Sequence, residues 1–379
     1  MVIKAKFVYT PHRILVDHGI RIENHRISSL ERISNIKERA YYYPLIVPGF
    51  IDLHTHGIAG YDTMSVKTDD LEAMAKAYLD HGVTSFLPTT VSHIGEKIIE
   101  VVDKLVSYIS KEKKGAFAKI VGIHLEGPYL SVEKKGAQNP KYIRKIDEEE
   151  LKKFVERSKG FLKLITLAPE AVKPKKAEEI MRYLRKNGVR ISLGHSNATF
   201  DEAMKMVDFG ATHATHVFNG MRGFNHREPG VVGAVLLDDR VTCEIIADLV
   251  HLHPMTLRLI YRLKGPERIV AISDSISATD LEDGEYELGG LKVMVKDGIA
   301  RLEDGTLAGS ILTLDRALKN LVKVVGIPLI DALKFMTSNP ARELGLHDVG
   351  EIRVGNRADL VCLDENLDLL DTFVNGMKR

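Results

Sequence analysis

Between residues 46 and 280, short apolar runs alternate with longer stretches in which apolar residues return every three or four positions. This alternation marks repeated βα units that build a parallel sheet. Eight runs qualify as strands, starting at Pro48, Gly82, Ala118, Phe161, Val189, Ala211, Val241 and Arg268. Eight parallel strands close a barrel, so the pattern predicts an α/β fold of the (β/α)8 TIM-barrel type. The spacing predicts helices over 68–81, 98–110, 148–158, 174–186 and 200–209. Asp69, Asp70 and Asp147 stand near helix starts, and Gly82, Gly188 and Gly210 just past helix ends, where capping favours these residue types. The sixth connection, over 224–237, reads as a loop at first, which marks a region serving something other than packing.

Residues 1–45 and roughly 347–379 read instead as short strands and turns, and neither end has enough apolar residues for a core of its own. The two ends are therefore expected to pair into one small β-sandwich domain, 1–47 plus 347–379, beside a barrel domain over 48–346. The segment YELGGLKVMVKDGIARLEDGTLAGS, from Tyr286, reads as hairpins inserted after the eighth strand.

Composition narrows the range of partners. The 379 residues are 44% hydrophobic, enough for one large core and a companion. With 53 Lys plus Arg against 52 Asp plus Glu, the charge of +1 gives no electrostatic case for nucleic acid or an anionic membrane. The start lacks the apolar run and cleavage site of a signal peptide, and no stretch approaches a membrane span, so a cytoplasmic protein is expected. The two cysteines, Cys243 and Cys362, sit in apolar strand-like runs and are expected to be buried thiols.

Chemistry gathers at the strand ends. His54 and His56, two apart on the first strand, point to one face, the geometry of two imidazoles on one metal. Glu126 on the third strand, His195 on the fifth, His216 on the sixth and Asp274 on the eighth are polar residues that a packed core would not choose. Any one alone reads as a hydrogen-bonded core residue or a cap. Together they occupy the barrel mouth where catalysis occurs in this fold. Imidazoles with carboxylates suit a divalent metal, zinc or iron, since no thiolate set is present and magnesium would not require histidine. His124 shares the inward face of Glu126 and reads as supporting or packing; His213 falls on the face opposite His216 and reads as structural.

These residues resemble the amidohydrolase superfamily, with its HxH on the first strand, bridging carboxylate, two later histidines and eighth-strand Asp. Many relatives use a carboxylated Lys at the end of the fourth strand, but here that strand ends LAPE and its only Lys, Lys163, stands near the beginning, which leaves the bridge to Glu126. In order, HLEGPYL, KKGAQNP, LGHSNAT, THVFNGM, REPG, SDSISATD and LAGS resemble the segments of the N-acetylglucosamine-6-phosphate deacetylases. The resemblance implies one metal on Glu126, His195 and His216, and a second, weaker one on His54 and His56 with Glu126 bridging. Asp274 is the implied general base and acid. Gln138 stands where some members carry a histidine that polarises the carbonyl. Asn219, Gly220, Arg227 and His251 are implied contacts of a small amino-sugar phosphate, Arg227 and His251 reaching it from the neighbouring subunit of a homodimer. Ala137, Leu307, Ala308 and Gly309 are further implied substrate contacts.

Two other readings compete. A related barrel could act on another N-acetylated amino sugar, a cyclic amide or a deaminase substrate, against which stands the REPG loop with His251. A noncatalytic barrel would be expected to lose ligands or base, whereas this chain keeps all six.

Overall fold

The computed structural model describes every residue except 12, 66, 68, 69 and 112–114. All eight expected strands form: Phe50–Thr55, Val83–Thr90, Ile123–Glu126, Leu162–Leu167, Arg190–Leu193, His213–Ala214, Thr242–Ile246 and Ile269–Ile272. Each pairs in parallel with the next. The seam between the eighth and first strands is bridged where Asp274 N donates to His54 O (2.9 Å) and His56 N to Ser275 O (2.8 Å). The result is a nearly closed parallel barrel. The third expected run is interrupted: Lys119–Ile120 pairs with the second strand, and the chain then resumes at Ile123. A side chain at Gly122 would meet Lys163 and the Phe161 carbonyl, so the strand passes there as bare backbone.

Helices Asp70–Leu79, Gly95–Ile109, Glu148–Arg157, Ala177–Lys186 and Phe200–Asp208 bury their apolar stripes against the barrel. Asp147 caps the third, accepting from Glu149 N and Glu150 N, and Thr199 with Glu202 forms a reciprocal capping box on the fifth. Thr68 and Asp69, expected at the start of the first helix, lie outside the described residues. The sixth connection is a loop that turns into a buried helix, Gly230–Leu237, apolar on nearly every face. Helices Leu314–Lys319, Leu329–Met336 and Ser338–Leu344 follow the eighth strand and its insert, adding to the elements the alternation marks.

The two chain ends form one mixed seven-stranded sheet, in the order Met377–Lys378, Leu369–Val374, Leu360–Leu363, Tyr41–Pro48, Val2–Tyr9, Ile14–Glu23, Arg26–Arg32. It has an apolar cluster of its own around Ile3, Ile20, Ile46, Leu360 and Phe373. The insert is a three-stranded antiparallel sheet, Gly284–Leu288, Leu291–Lys296 and Ile299–Leu302. Cys243 and Cys362 are free and buried. Among the described residues no helix is long and apolar enough to cross a membrane.

Candidate metal centre

Each residue of the centre sits where its strand gives way to a loop. His195, His216 and Asp274 follow the fifth, sixth and eighth strands with φ of 45°, 29° and 49°. Left-handed backbone is unfavourable for residues with a Cβ and persists only where the surroundings enforce it, as at many functional sites. Here it turns three side chains over the barrel axis. Gly309 lies against the same turn: a Cβ there would come within 2.9 Å of the Asp274 carbonyl oxygen.

The side chains converge in two halves. Glu126 Oε1 lies 3.0 Å from Nε2 of both His195 and His216. His54 and His56 each place Nε2 against Asp274 Oδ1, at 3.4 and 3.3 Å. Glu126 spans both halves, with Oε1 3.6 Å from His54 Nε2 and Oε2 3.3 Å from His56 Nε2. The ligating atoms within each half lie within 4.8 Å of one another, and every one of these residues is buried.

Electrostatics show what this cluster demands. Burial alone would raise the Glu126 carboxyl, but His54, His195 and His216 outweigh it and hold it well below the usual carboxylate range. Burial would likewise discharge His54 and His56, yet Glu126 and Asp274 raise both rings above an ordinary imidazole. The cavity thus favours positive charge beside its acids. A divalent cation fits the same demand, and the nitrogen and oxygen donor set suits a metal of zinc or iron type.

A cavity of about 210 Å³ opens above the cluster. Ala137, Gln138, Asn219, Gly220, His251, Leu307 and Gly309 line it together with His56, Glu126, His195, His216 and Asp274. His54 is fully buried beneath, and Ala308 is buried behind the wall that Leu307 and Gly309 face. His251, which the resemblance implies reaches the substrate from a neighbouring subunit, instead lines the cavity of its own chain, with its Nδ1 2.6 Å from Asp248 Oδ2. Arg227 is exposed on the sixth loop and stands outside the cavity wall. Gln138 is held at both ends of its amide: Nε2 donates to Glu126 Oε2 (2.7 Å), and Oε1 accepts from Ser92 N (2.7 Å).

His124 and His213 both lie in the barrel interior, the first against Thr166 and the second between Glu244 and Glu343. Glu244, on the seventh strand, is a residue the motif reading passed over; it contacts both His54 and His213. Its signal was legible as an acid in the middle of the apolar run VTCEIIA. Leu288 and Thr306 also line the cavity, brought there by the insert.

A parallel barrel with a buried imidazole and carboxylate cluster at the C-terminal mouth of its strands is the architecture of a metal-dependent hydrolase. The chain belongs to the amidohydrolase family, whose profile matches residues 45–379. It is 39% identical over 334 residues to the N-acetylglucosamine-6-phosphate deacetylase of Lysinibacillus sphaericus, covering 88% of this chain and 85% of that protein. It is 36% identical over 377 residues to the N-acetylgalactosamine-6-phosphate deacetylase of Escherichia coli O157:H7, covering 99% and 98%. The crystal structure of N-acetylglucosamine-6-phosphate deacetylase from Thermotoga maritima superposes with a TM-score of 0.90 at 40% identity, covering 100% of this chain and 99% of that one. The scaffold is that of a metal-dependent enzyme of amide hydrolysis.

Proposed function

We propose that the chain removes the acetyl group from N-acetylglucosamine-6-phosphate, releasing acetate and glucosamine-6-phosphate. The observation that carries this reading is the placement of the two-halved cluster at the floor of a cavity walled by Ala137–Gln138, Asn219–Gly220, His251 and Leu307–Gly309. Glu126, His195 and His216 would hold one cation, and His54 and His56, with Glu126 shared, a second. When bound, such a cation makes water acidic near neutral pH and polarises the amide carbonyl. Asp274, at the cavity floor, takes the proton from the attacking water and returns it to the departing amine nitrogen. Gln138 steadies Glu126 through its committed amide, with one remaining N–H for the carbonyl oxygen. His251 and Asn219 present polar groups to the phosphate end.

We read the cation as zinc or iron and the protein as a cytoplasmic homodimer. Support for the dimer comes from Arg227, exposed and outside its own cavity, and from Met255, Leu259 and Leu263, which leave one apolar face of helix Pro254–Lys264 exposed; Phe224 and Leu237 are exposed as well. We divide the chain into a β-unit, 1–47 with 347–379, and a hydrolase barrel, 48–346. The separate cluster around Ile3 and Phe373 supports that division.

A second reading, the galactosamine epimer as substrate, is favoured by the likeness to the E. coli O157:H7 enzyme across nearly the whole chain. Acetate release from both 6-phosphorylated epimers and from unphosphorylated N-acetylglucosamine, after metal stripping and reloading, tests the proposal. The expected order of kcat/KM puts the glucosamine phosphate first and the unphosphorylated sugar far behind. A preference for the other epimer would replace the proposal with the second reading, and indifference to phosphate would defeat both.

A further inference from the structure

We propose that Glu244 is the positioning residue for His54, and so governs cation binding in the His54 half of the centre; this rests on the two-cation reading above. Glu244 stands in the middle of strand Thr242–Ile246, among buried residues, with no exposure of its own. A carboxylate in such a place is unfavourable unless donors surround it. Both its oxygens are met. Oε2 lies 3.1 Å from His54 Nδ1 and accepts from His216 N at 3.2 Å; Oε1 lies 3.0 Å from His213 Nε2. Behind it, His213 Nδ1 faces Glu343 Oε2 at 3.5 Å, and Glu343 pairs with Arg190 at 3.3 Å while accepting from Thr242 Oγ1 at 2.9 Å. A column of alternating charge therefore runs from the centre to the opposite end of the barrel, where Arg190 is partly exposed.

The column has a chemical consequence at its upper end. An ionised carboxylate has no hydrogen to give, so the hydrogen between Glu244 and His54 belongs to His54 Nδ1. When a cation takes the place of the second proton, the lone pair it meets is on Nε2, the nitrogen that faces Glu126, His56 and Asp274. Among the described residues, His195, His216 and His56 have only backbone carbonyls behind them, of Lys134, Asn219 and Thr89. A carbonyl can fix a tautomer, but a carboxylate also adds negative charge and makes the ring a stronger donor. Among the described residues, His54 is the one histidine of the centre backed in this way.

A competing reading makes His54, His124 and Glu244 a separate cation site, since their ligand atoms also lie within 4.8 Å of one another. The occupied donor atoms argue against it. His124 Nδ1 faces Leu53 O at 3.2 Å and Nε2 faces Thr166 Oγ1 at 2.8 Å, so both ring nitrogens are engaged. Glu244 is already shared among three donors.

The test is calorimetric titration of the metal-stripped full-length protein with Zn²⁺. Wild type is expected to take two equivalents. Glu244→Gln should take the first with unchanged affinity and bind the second roughly 10–100-fold more weakly, and should add no further loss in a His54→Ala background. Two unchanged equivalents in Glu244→Gln would overturn the proposal while leaving the two-cation reading intact. Equal weakening of both would mark a general loosening of the barrel and overturn it as well, and a single equivalent in wild type would remove both ideas. If Glu244→Gln fails to fold, ¹⁵N NMR of histidine-labelled, zinc-loaded wild type decides: a hydrogen on His54 Nδ1 is expected, and a hydrogen on Nε2 would overturn the assignment.

Discussion

The two halves of the metal centre share Glu126 and little else in the way they are supported. The His195 and His216 rings lean on carbonyls of the loops nearest them, Lys134 O at 2.9 Å and Asn219 O at 3.1 Å. In the other half His56 also rests on a carbonyl, Thr89 O at 3.2 Å, but His54 leans on charge: Glu244 behind it, Asp274 across from it, and a line of ionic partners reaching Arg190. Backbone support survives most side-chain substitutions, because the carbonyl remains whatever residue carries it. Charged support depends on particular side chains, and so can be removed by a single mutation. One half should therefore tolerate changes around it, while the other should respond to substitutions and pH far from the reacting atoms.

The harshest way to break this contrast is to remove what the halves share. Glu126→Ala should abolish binding of both cations and drop turnover beyond the roughly 10⁴-fold that loss of a general base brings. Metal analysis showing one equivalent retained would mean that the halves are independent, contrary to the bridging geometry. Next in size is Asp274→Asn, which keeps the shape of the His54 half but cannot accept a proton. Both metals should remain while kcat falls roughly 10²–10⁴-fold. Loss of metal in step with activity would recast Asp274 as a ligand first and a base second.

The same contrast explains what the sequence revealed. The ligands of both halves were legible: His54, His56, Glu126, His195, His216 and Asp274 announce themselves as polar residues at the ends of apolar runs, and Glu244, behind the charged half, could have been found by the same sign. The barrel was legible because each strand is apolar and each helix has a clear stripe. What stayed hidden depends on backbone. No residue type signals that the Lys134 or Asn219 carbonyl will stand behind a ring, or that His195, His216 and Asp274 will turn into left-handed conformation. The helices after residue 313 were equally hard to read, since they close a structure whose strands have already been counted. Gln138 was legible as a candidate but not in its role, because its amide is committed to Glu126 and Ser92 by a loop whose course only the fold determines.

A milder test probes the backbone-supported half. Asn219→Ala deletes a side chain that lines the cavity while leaving the carbonyl that faces His216 Nδ1. Metal content should stay at the wild-type level. KM for the phosphorylated sugar should rise about tenfold, as expected for one lost hydrogen bond to a charged group of about 1.5 kcal/mol. A fall in bound metal would show that this side chain, rather than the backbone, supports the ring.

The smallest expected effect concerns the outer anchor of the charged half. The loop that begins at Asp274 ends near Asp280, whose Oδ2 lies 2.6 Å from His81 Nε2 at the foot of the first barrel helix. His81 Nδ1 faces Asp315 Oδ1 at 3.4 Å, so one ring ties together the loop and two helical segments. Burial works against a charged ring there, but the two carboxylates prevail and push its pKa up to about 9. In the unfolded chain the ring titrates near 6.5. A folded value above the unfolded one means that the clamp stabilises the native state fully below about pH 6.5 and loses that contribution as pH climbs through about 9. Melting temperature of the wild type should therefore decline more between pH 6.5 and 9.5 than that of His81→Asn, which has no charge to lose. High salt should narrow the difference only in part, since the ring is sheltered. Parallel declines in the two proteins would show that the anchor contributes nothing ionic, and that the charge dependence of this half stops at the barrel interior.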